Sequence, residues 1–388
     1  MTREIEFNVM NEVLEIIAEQ GLDGMADAYR ILLNEAMKAE RAAVLGAGAY
    51  ERSPDRKGYA NGFKPKTLAT RSGSITVAVP QARNIEFYPS ALEKGARSER
   101  ALKLAVAEMY VQGVSTRKVQ AVMEILCGLN VSSTDVSRAA KLLDEELEKW
   151  RNRPLGLFPY LILDARYEKV RHGGSVVSCA LLVAIGIGLD GKRSILGVSV
   201  SLSEAEVHWR DFLASLQDRG LHGVKLIVSD DHAGLKAARE ARFAGVLWQR
   251  CQFHLLQNAM HYVPKLDMRE EAAADIRTIL DAPDRNEANR RKEQVVQKYQ
   301  KTAPKLAAWL DENADESLSV FDFPAAHRKR LRTSNLLERI NRELKRRTRV
   351  ATLFPNETSL LRLASAVLAE IDEEWQSGKV YLNMEETR

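Results

Sequence analysis

Cysteine is scarce in this 388-residue chain, and the three present do not suggest pairing. Cys127, Cys179 and Cys251 are odd in number and far apart, which argues against a disulfide framework and suits a reducing compartment. Long apolar runs are missing too: the longest, CALLVAIGIG from Cys179, is too short to cross a bilayer. The opening MTREIEFNVM carries acids where a secretory signal needs a basic region followed by an apolar stretch, and no Arg-rich amphipathic leader is present. A cytoplasmic protein without a membrane partner is therefore expected. Excess charge is small, +4 at pH 7, and by its total names no partner.

What is present is ordinary in amount and uneven in distribution. Hydrophobic content of 45% and charged content of 28% are those of a globular protein, and the length calls for two to four domains. Residues 1–50 hold 4 Lys/Arg against 9 Asp/Glu, residues 51–100 hold 10 against 5, and residues 325–350 hold 10 against 2. Two basic clusters are the footprint of a phosphate-rich partner, although a single cluster is more often a solvated face.

Residues 8–20 and 23–45 have helical periodicity. The next segment, RSPDRKGYANGFKPKTLATRSGSITVAVPQAR, mixes bases and aromatics with one alternating strand at Ile75, Val77 and Val79. It reads either as a nucleotide-stacking surface or as a small hairpin with a polar face. Residues 100–150 read as three helices, the third opened by Ser132 and Asp135 at capping-box spacing. That outline fits a helix-turn-helix unit presenting Arg138 and Lys141 to a DNA groove, and it fits many plain three-helix bundles equally well.

From Phe158 the pattern becomes β-β-β-α-β-α-β: YLILD, a hairpin turning at Asp190-Gly191, an amphipathic helix closed by Gly220, VKLIVSD, the helix AGLKAAREA and the strand GVLWQRC. This is the order of an α/β ribonuclease-H-like core, whose first and fourth strands lie side by side. Their carboxyl ends would bring Asp164 and Asp230 together. A lone acid at a strand end is usually a turn residue. Two placed so, with a third on a later helix, repel unless cations sit between them, which implies divalent metal. The third is Glu338 in SNLLERINRELKRRTRV, where Leu337, Ile340 and Leu344 form the buried stripe of a helix. Taken alone, Glu338 would be read as a surface partner of Arg342 at i+4. Glu343 lies about 140° around the same helix and cannot face the same ions.

Several blocks together resemble one family. SDDHAGL, QRCQFHLLQN and TSNLLERINRELKRRTRV are similar to the S-D-x-H-x-G-L, C-x-x-H and N-x-x-E-x-x-N elements of the Mutator-like transposases, the bacterial IS256 family. KGYANGFKPKTLAT with GSITVAVPQAR matches the family's amino-terminal region, and the spacings among the acids agree. The resemblance implies a DDE enzyme in which Asp164, Asp230 and Glu338 hold two Mg²⁺ ions, with Mn²⁺ as a substitute. It implies binding to terminal inverted repeats and target DNA, a homodimer or larger assembly, cleavage followed by strand transfer, and a circular intermediate in bacterial relatives. A second ribonuclease-H-like nuclease, such as a resolvase, and a domesticated DNA-binding regulator are the rivals.

On this reading Arg342, Lys345, Arg346 and Arg349 are available to contact phosphates. His232, Cys251 and His254 support the acids from behind. Cys251 and His254 are two ligands short of a structural zinc site, so a positioning role is expected. Trp209 and Trp248 are core aromatics, with base stacking the minority reading. The domains expected are 1–98, a helical and small β region for DNA binding or dimerisation; 99–153, helix-turn-helix-like; 154–254, the first part of the core; 255–325, the helical insertion implied by the resemblance; and 326–388, the rest of the core with the Glu338 helix.

Overall fold

The computed structural model describes residues 2–92, 94, 98–112, 114, 116–348 and 353–385. They divide into two compact units, at Leu142/Leu143.

In the first unit, α1 (Thr2–Gln20) and α2 (Met25–Leu45) pack together, joined by a single turn at Gly21–Gly24. A hairpin follows, β1 (Tyr59–Thr70) and β2 (Gly73–Arg83), whose alternating Ile75, Val77 and Val79 are buried against Met37 of α2. The alternation thus marks a hairpin face seated on a helix. Tyr59 and Phe63 on β1 stay half exposed, covered by the guanidinium groups of Arg56 and Arg83 and of Arg41. Three helices complete the unit: α3 (Arg100–Val111), α4 (Thr116–Cys127) and α5 (Ser133–Ala140). The Ser132/Asp135 capping box opens α5 as its spacing predicts. Lys141 does not continue that helix but lies in a separate 3₁₀ turn, Lys141–Leu143.

The second unit begins with α6 (Asp144–Arg151), a fourth helix where the pattern suggested three. Its sheet consists of β3 (Tyr160–His172), β4 (Ser175–Ile187), β5 (Arg193–Ser201), β6 (Leu226–Ser229) and β7 (Leu247–Arg250). The spatial order is β5-β4-β3-β6-β7; β3, β4 and β5 are antiparallel, while β6 and β7 run parallel to β3. Helices α7 (Glu206–Asp218) and α8 (Ala233–Arg242) supply the parallel connections, giving the element order expected from sequence. Both faces of the sheet are covered, which is why its strands read as unbroken apolar runs. Trp209, Phe212, Leu213, Leu216 and Leu235 from these helices cover Leu161, Leu163, Leu182 and Ile227.

Between β7 and residue 325 every described element is helical: α9 (Gln252–Ala259), α10 (Arg269–Leu280), α11 (Arg285–Tyr299), α12 (Pro304–Asn313) and short 3₁₀ turns. Then come α13 (Ala325–Leu331), α14 (Asn335–Thr348) and α15 (Glu357–Ser377), the last packed on β5 and β3. No helix among the described residues is long and apolar enough to cross a membrane.

Asp372 pins α15 to the sheet edge. Its buried carboxylate accepts from Arg153 at 2.8 Å, Trp150 Nε1 at 3.2 Å, Ser194 Oγ at 2.9 Å and the Ile195 amide at 2.8 Å. Losing one partner of such a buried cluster leaves several donors unmet. Asp372→Ala is expected to cost about 3 kcal/mol of stability, read as a lowered melting temperature; an unchanged one contradicts this role.

Candidate active site

The parallel pairing of β3 with β6 matches Tyr160 to Leu226, Leu161 to Ile227 and Ile162 to Val228. Two residues further along each chain stand Asp164 and Asp230, so the register itself brings the two acids level. Asp164 is not at a strand end, as the short run YLILD suggested. Its strand runs on to His172 because the antiparallel hairpin with β4 continues after β6 has stopped. The acid therefore sits where the parallel ladder ends and the sheet opens.

Burial, and next the charge of Asp230, push the Asp164 carboxyl up to about 7. It keeps two donors, the Ala165 amide on Oδ1 at 2.9 Å and Asn341 Nδ2 on Oδ2 at 3.0 Å. Asp230 Oδ1 accepts from the His232 amide at 3.3 Å.

Asn341 belongs to α14, one turn beyond Glu338, so the same face of that helix looks toward the acids. Arg166 Nη1, bound to the Asn341 carbonyl at 2.8 Å, fixes the approach. Glu338 is half buried, and its Oε1 is enclosed without a hydrogen-bond partner. An enclosed carboxylate oxygen with nothing to accept from, on the helix whose Asn341 bonds the raised Asp164 carboxyl, is a hard-oxygen donor without a counter-charge of its own. The three acids do not close into a ligand group by themselves: among the described residues no three His, Cys, Asp or Glu side chains stand together closely enough to hold a metal ion.

Glu204 was not singled out from sequence. In SEAEVHW it reads as one more acid near a helix start, yet it is 9% exposed and close enough to Asp230 for their charges to interact. Burial pushes its carboxyl up, and His232, 3.7 Å away, draws it back. Gly234 makes this approach possible: a Cβ there would lie 2.2 Å from the Glu204 carbonyl oxygen. Asp231 faces elsewhere, toward the buried Arg250 at 3.0 Å and toward Lys236, both of which also hold Glu316. Of the adjacent acids in SDDH, 230 serves the cluster and 231 neutralises a buried arginine.

Behind the acids, the neighbouring Cys251 sulfur raises the His254 imidazole to about 9 despite burial, with Asp164 and Asp230 adding to the effect. Burial alone would push the Cys251 thiol up, but His254 and Ser334 outweigh it and hold the thiol below its ordinary value. Trp209 is wholly buried in the sheet–helix core. Trp248 donates to Ser229 Oγ at 3.0 Å under the cations of Lys236 and Arg239.

On the outer face of α14, Arg342, Lys345 and Arg346 are exposed, while Arg349 lies outside the described residues. Arg346 and the buried Arg347 both grip Glu343, lowering its carboxyl to about 2 through Arg346 first; Arg347 also reaches Glu370 at 2.6 Å. Glu343 is thus an anchor for arginines on a different face from Glu338. In the first unit Arg138 is exposed and paired with Asp135 at 3.1 Å, and Lys141 is exposed.

Residues 1–378 match the family model described as "Transposase, Mutator family". The chain is 58% identical over 385 residues, 99% of each protein, to the transposase for insertion sequence element IS406 of Burkholderia multivorans. It is 38% identical to the transposase for IS1081 of Mycobacterium tuberculosis, over 96% of this chain and 91% of that protein. It is 35% identical to the transposase for IS256 in transposon Tn4001 of Staphylococcus aureus, over 98% and 99%.

The raised Asp164 has a thermodynamic consequence with a definite sign. An acid whose value is higher in the folded state destabilises the fold when ionised. The penalty is absent below the ordinary carboxyl range near about pH 4, grows as pH rises through about 7, and is complete above it. Metal-free Asp164→Asn should therefore match the unmodified protein near about pH 4 and exceed its stability near about pH 8, by on the order of 1–3 kcal/mol. Denaturant melts across that range check this; a pH-independent difference would contradict it.

Proposed function

The chain belongs to the Mutator family of transposases, and on that premise we propose that Asp164, Asp230 and Glu338 form a DDE site on a ribonuclease-H-like core. The site cleaves DNA at terminal inverted repeats and joins it to target DNA. The observation that carries the reading is the convergence of two elements on one place: the β3/β6 register sets Asp164 level with Asp230, and α14 delivers Glu338 one turn from the Asn341 that bonds Asp164.

The donor set fits Mg²⁺, or Mn²⁺ in its place, because every acid offers hard oxygen and the His254 imidazole offsets only part of their charge, leaving the Asp164 carboxyl raised. Asp164, Asp230 and Glu338 would hold such ions, which would supply a nucleophile at neutral pH and neutralise charge on the attacked phosphate and the leaving oxygen. The rest is the protein's part. Asp164 and Asp230 fix the spacing of the site through strand register, Asn341 orients Asp164, and Glu338 closes the third side. The exposed Arg342, Lys345 and Arg346 lie on the helix that carries Glu338, where they hold the DNA backbone beside the acids; Arg349, outside the described residues, is assigned to the same partner from the sequence alone. Asp231 serves Arg250, so it is outside the reacting set.

Arg138 and Lys141, in the first unit, are the groups assigned to the inverted repeat. The helical stretch 255–325 is read as an insertion between the second and third acids. Synapsis of two DNA ends requires a homodimer or larger assembly, since each end needs an active site.

The test uses a labelled duplex that ends in the element's inverted repeat, with Mg²⁺ and a target plasmid. Asp164→Ala, Asp230→Ala and Glu338→Gln are each expected to lower cleavage and joining by at least about a thousandfold, equivalent to ~4 kcal/mol of transition-state stabilisation. End binding stays near that of the unmodified protein, and cooperative melting shows that each variant remains folded. Cleavage without joining would instead mark a resolvase-type nuclease. Specific binding without cleavage by the unmodified protein would mark a regulator. An active Glu338→Gln variant would remove the third acid from the site.

A further inference from the structure

Three buried residues tie the start of the Glu338 helix to the strand end that carries Asp230. Ser334 immediately precedes α14, and its carbonyl accepts from the Leu337 amide at 2.8 Å and the Glu338 amide at 3.2 Å. A serine in that place ordinarily turns its oxygen back to cap the helix. Here the Ser334 hydroxyl and amide both point at Cys251 Sγ, at 3.3 Å and 3.4 Å. Cys251 stands at the end of β7, and its own amide donates to the Ser229 carbonyl at 2.7 Å; Ser229 is the residue before Asp230. The next amide, Gln252, donates to the Arg332 carbonyl at 3.0 Å, giving a second link between the same two segments. Ser229, Cys251 and Ser334 are each at most 1% exposed, so water cannot substitute for these bonds.

We propose that Cys251 and Ser334 form a clasp that sets how far Glu338 stands from Asp164 and Asp230. Both are then positioning residues for the metal-binding site. The inference rests on the reading of the three acids as metal ligands and adds what fixes the third of them. Sulfur suits the task because one large, soft acceptor takes both Ser334 donors at lengths that oxygen would not bridge without the helix moving in. Glu338 lies on a helix that the chain reaches only after the long helical stretch following β7, so its position depends on such cross-links rather than on strand register.

The test measures Mn²⁺ affinity of the full-length, metal-stripped protein by titration, with melting curves as the folding control. Cys251→Ala and Ser334→Ala are each expected to weaken Mn²⁺ binding about tenfold, the range for residues that orient metal ligands. Cys251→Ser, which retains an acceptor, should recover part of that loss. In a Glu338→Gln background neither alanine substitution should weaken binding further, because the ligand they position is already gone. Unchanged Mn²⁺ affinity in Ser334→Ala, or losses that add in full to that of Glu338→Gln, would overturn the clasp. Should Glu338→Gln alone bind Mn²⁺ like the unmodified protein, the three-acid reading fails, and the clasp with it.

Discussion

Two half-buried carboxylates brought level by the pairing of neighbouring parallel strands, Asp164 on β3 and Asp230 just past the end of β6, are the constraint around which the second unit is built. The geometry comes from backbone pairing alone: once Ile162 is matched to Val228, Asp164 and Asp230 cannot avoid each other. The cost is visible in the Asp164 carboxyl, which burial and its neighbour's charge hold near neutrality. Folding does not relieve that repulsion by placing an arginine between the acids. The nearby arginines are directed elsewhere: Arg250 to Asp231 and Glu316, Arg166 to Glu168 and a helix carbonyl, Arg347 to Glu343 and Glu370, while the His254 imidazole behind the acids offsets part of their charge.

That distribution separates structure from chemistry within short stretches of chain. Asp230 and Asp231 are adjacent, yet one faces the acid cluster and the other completes a buried ion pair. Glu338 and Glu343 share a helix, yet one has an enclosed oxygen without a partner and the other is saturated by two guanidinium groups. In each pair the residue that stabilises the fold faces cations, and of the residues read as functional Glu338 keeps an unmet oxygen while Asp230 faces Asp164. Unmet potential of this kind is what a site looks like when its charge is to be balanced by something that binds.

Much of this was legible in the sequence because it depends on local pattern. Apolar runs bounded by turns gave the strand and helix order of the sheet, and the Ser132/Asp135 spacing gave the start of α5. The stripe Leu337, Ile340, Leu344 correctly set Glu338 beside the buried face of α14. What was not legible depends on contacts distant in sequence. The length of β3 beyond Asp164 follows from its partner β4, and α6 joins the second unit through packing on α15. Glu204 becomes notable only when Gly234 lets its loop press against α8. Nothing in QRCQFH announces that the cysteine sulfur will meet a serine more than eighty residues later.

The central claim is that the Asp164–Asp230 repulsion is resolved by a divalent cation, and a ligand that binds only the folded state must raise its melting temperature. The direct measurement is the thermal shift of metal-stripped protein on adding Mn²⁺ at about pH 7.5, above the raised Asp164 value, for the unmodified chain and for Asp164→Asn. The account predicts a concentration-dependent rise in the first and little or none in the second. An equal rise in both, or none in the unmodified protein, would contradict it.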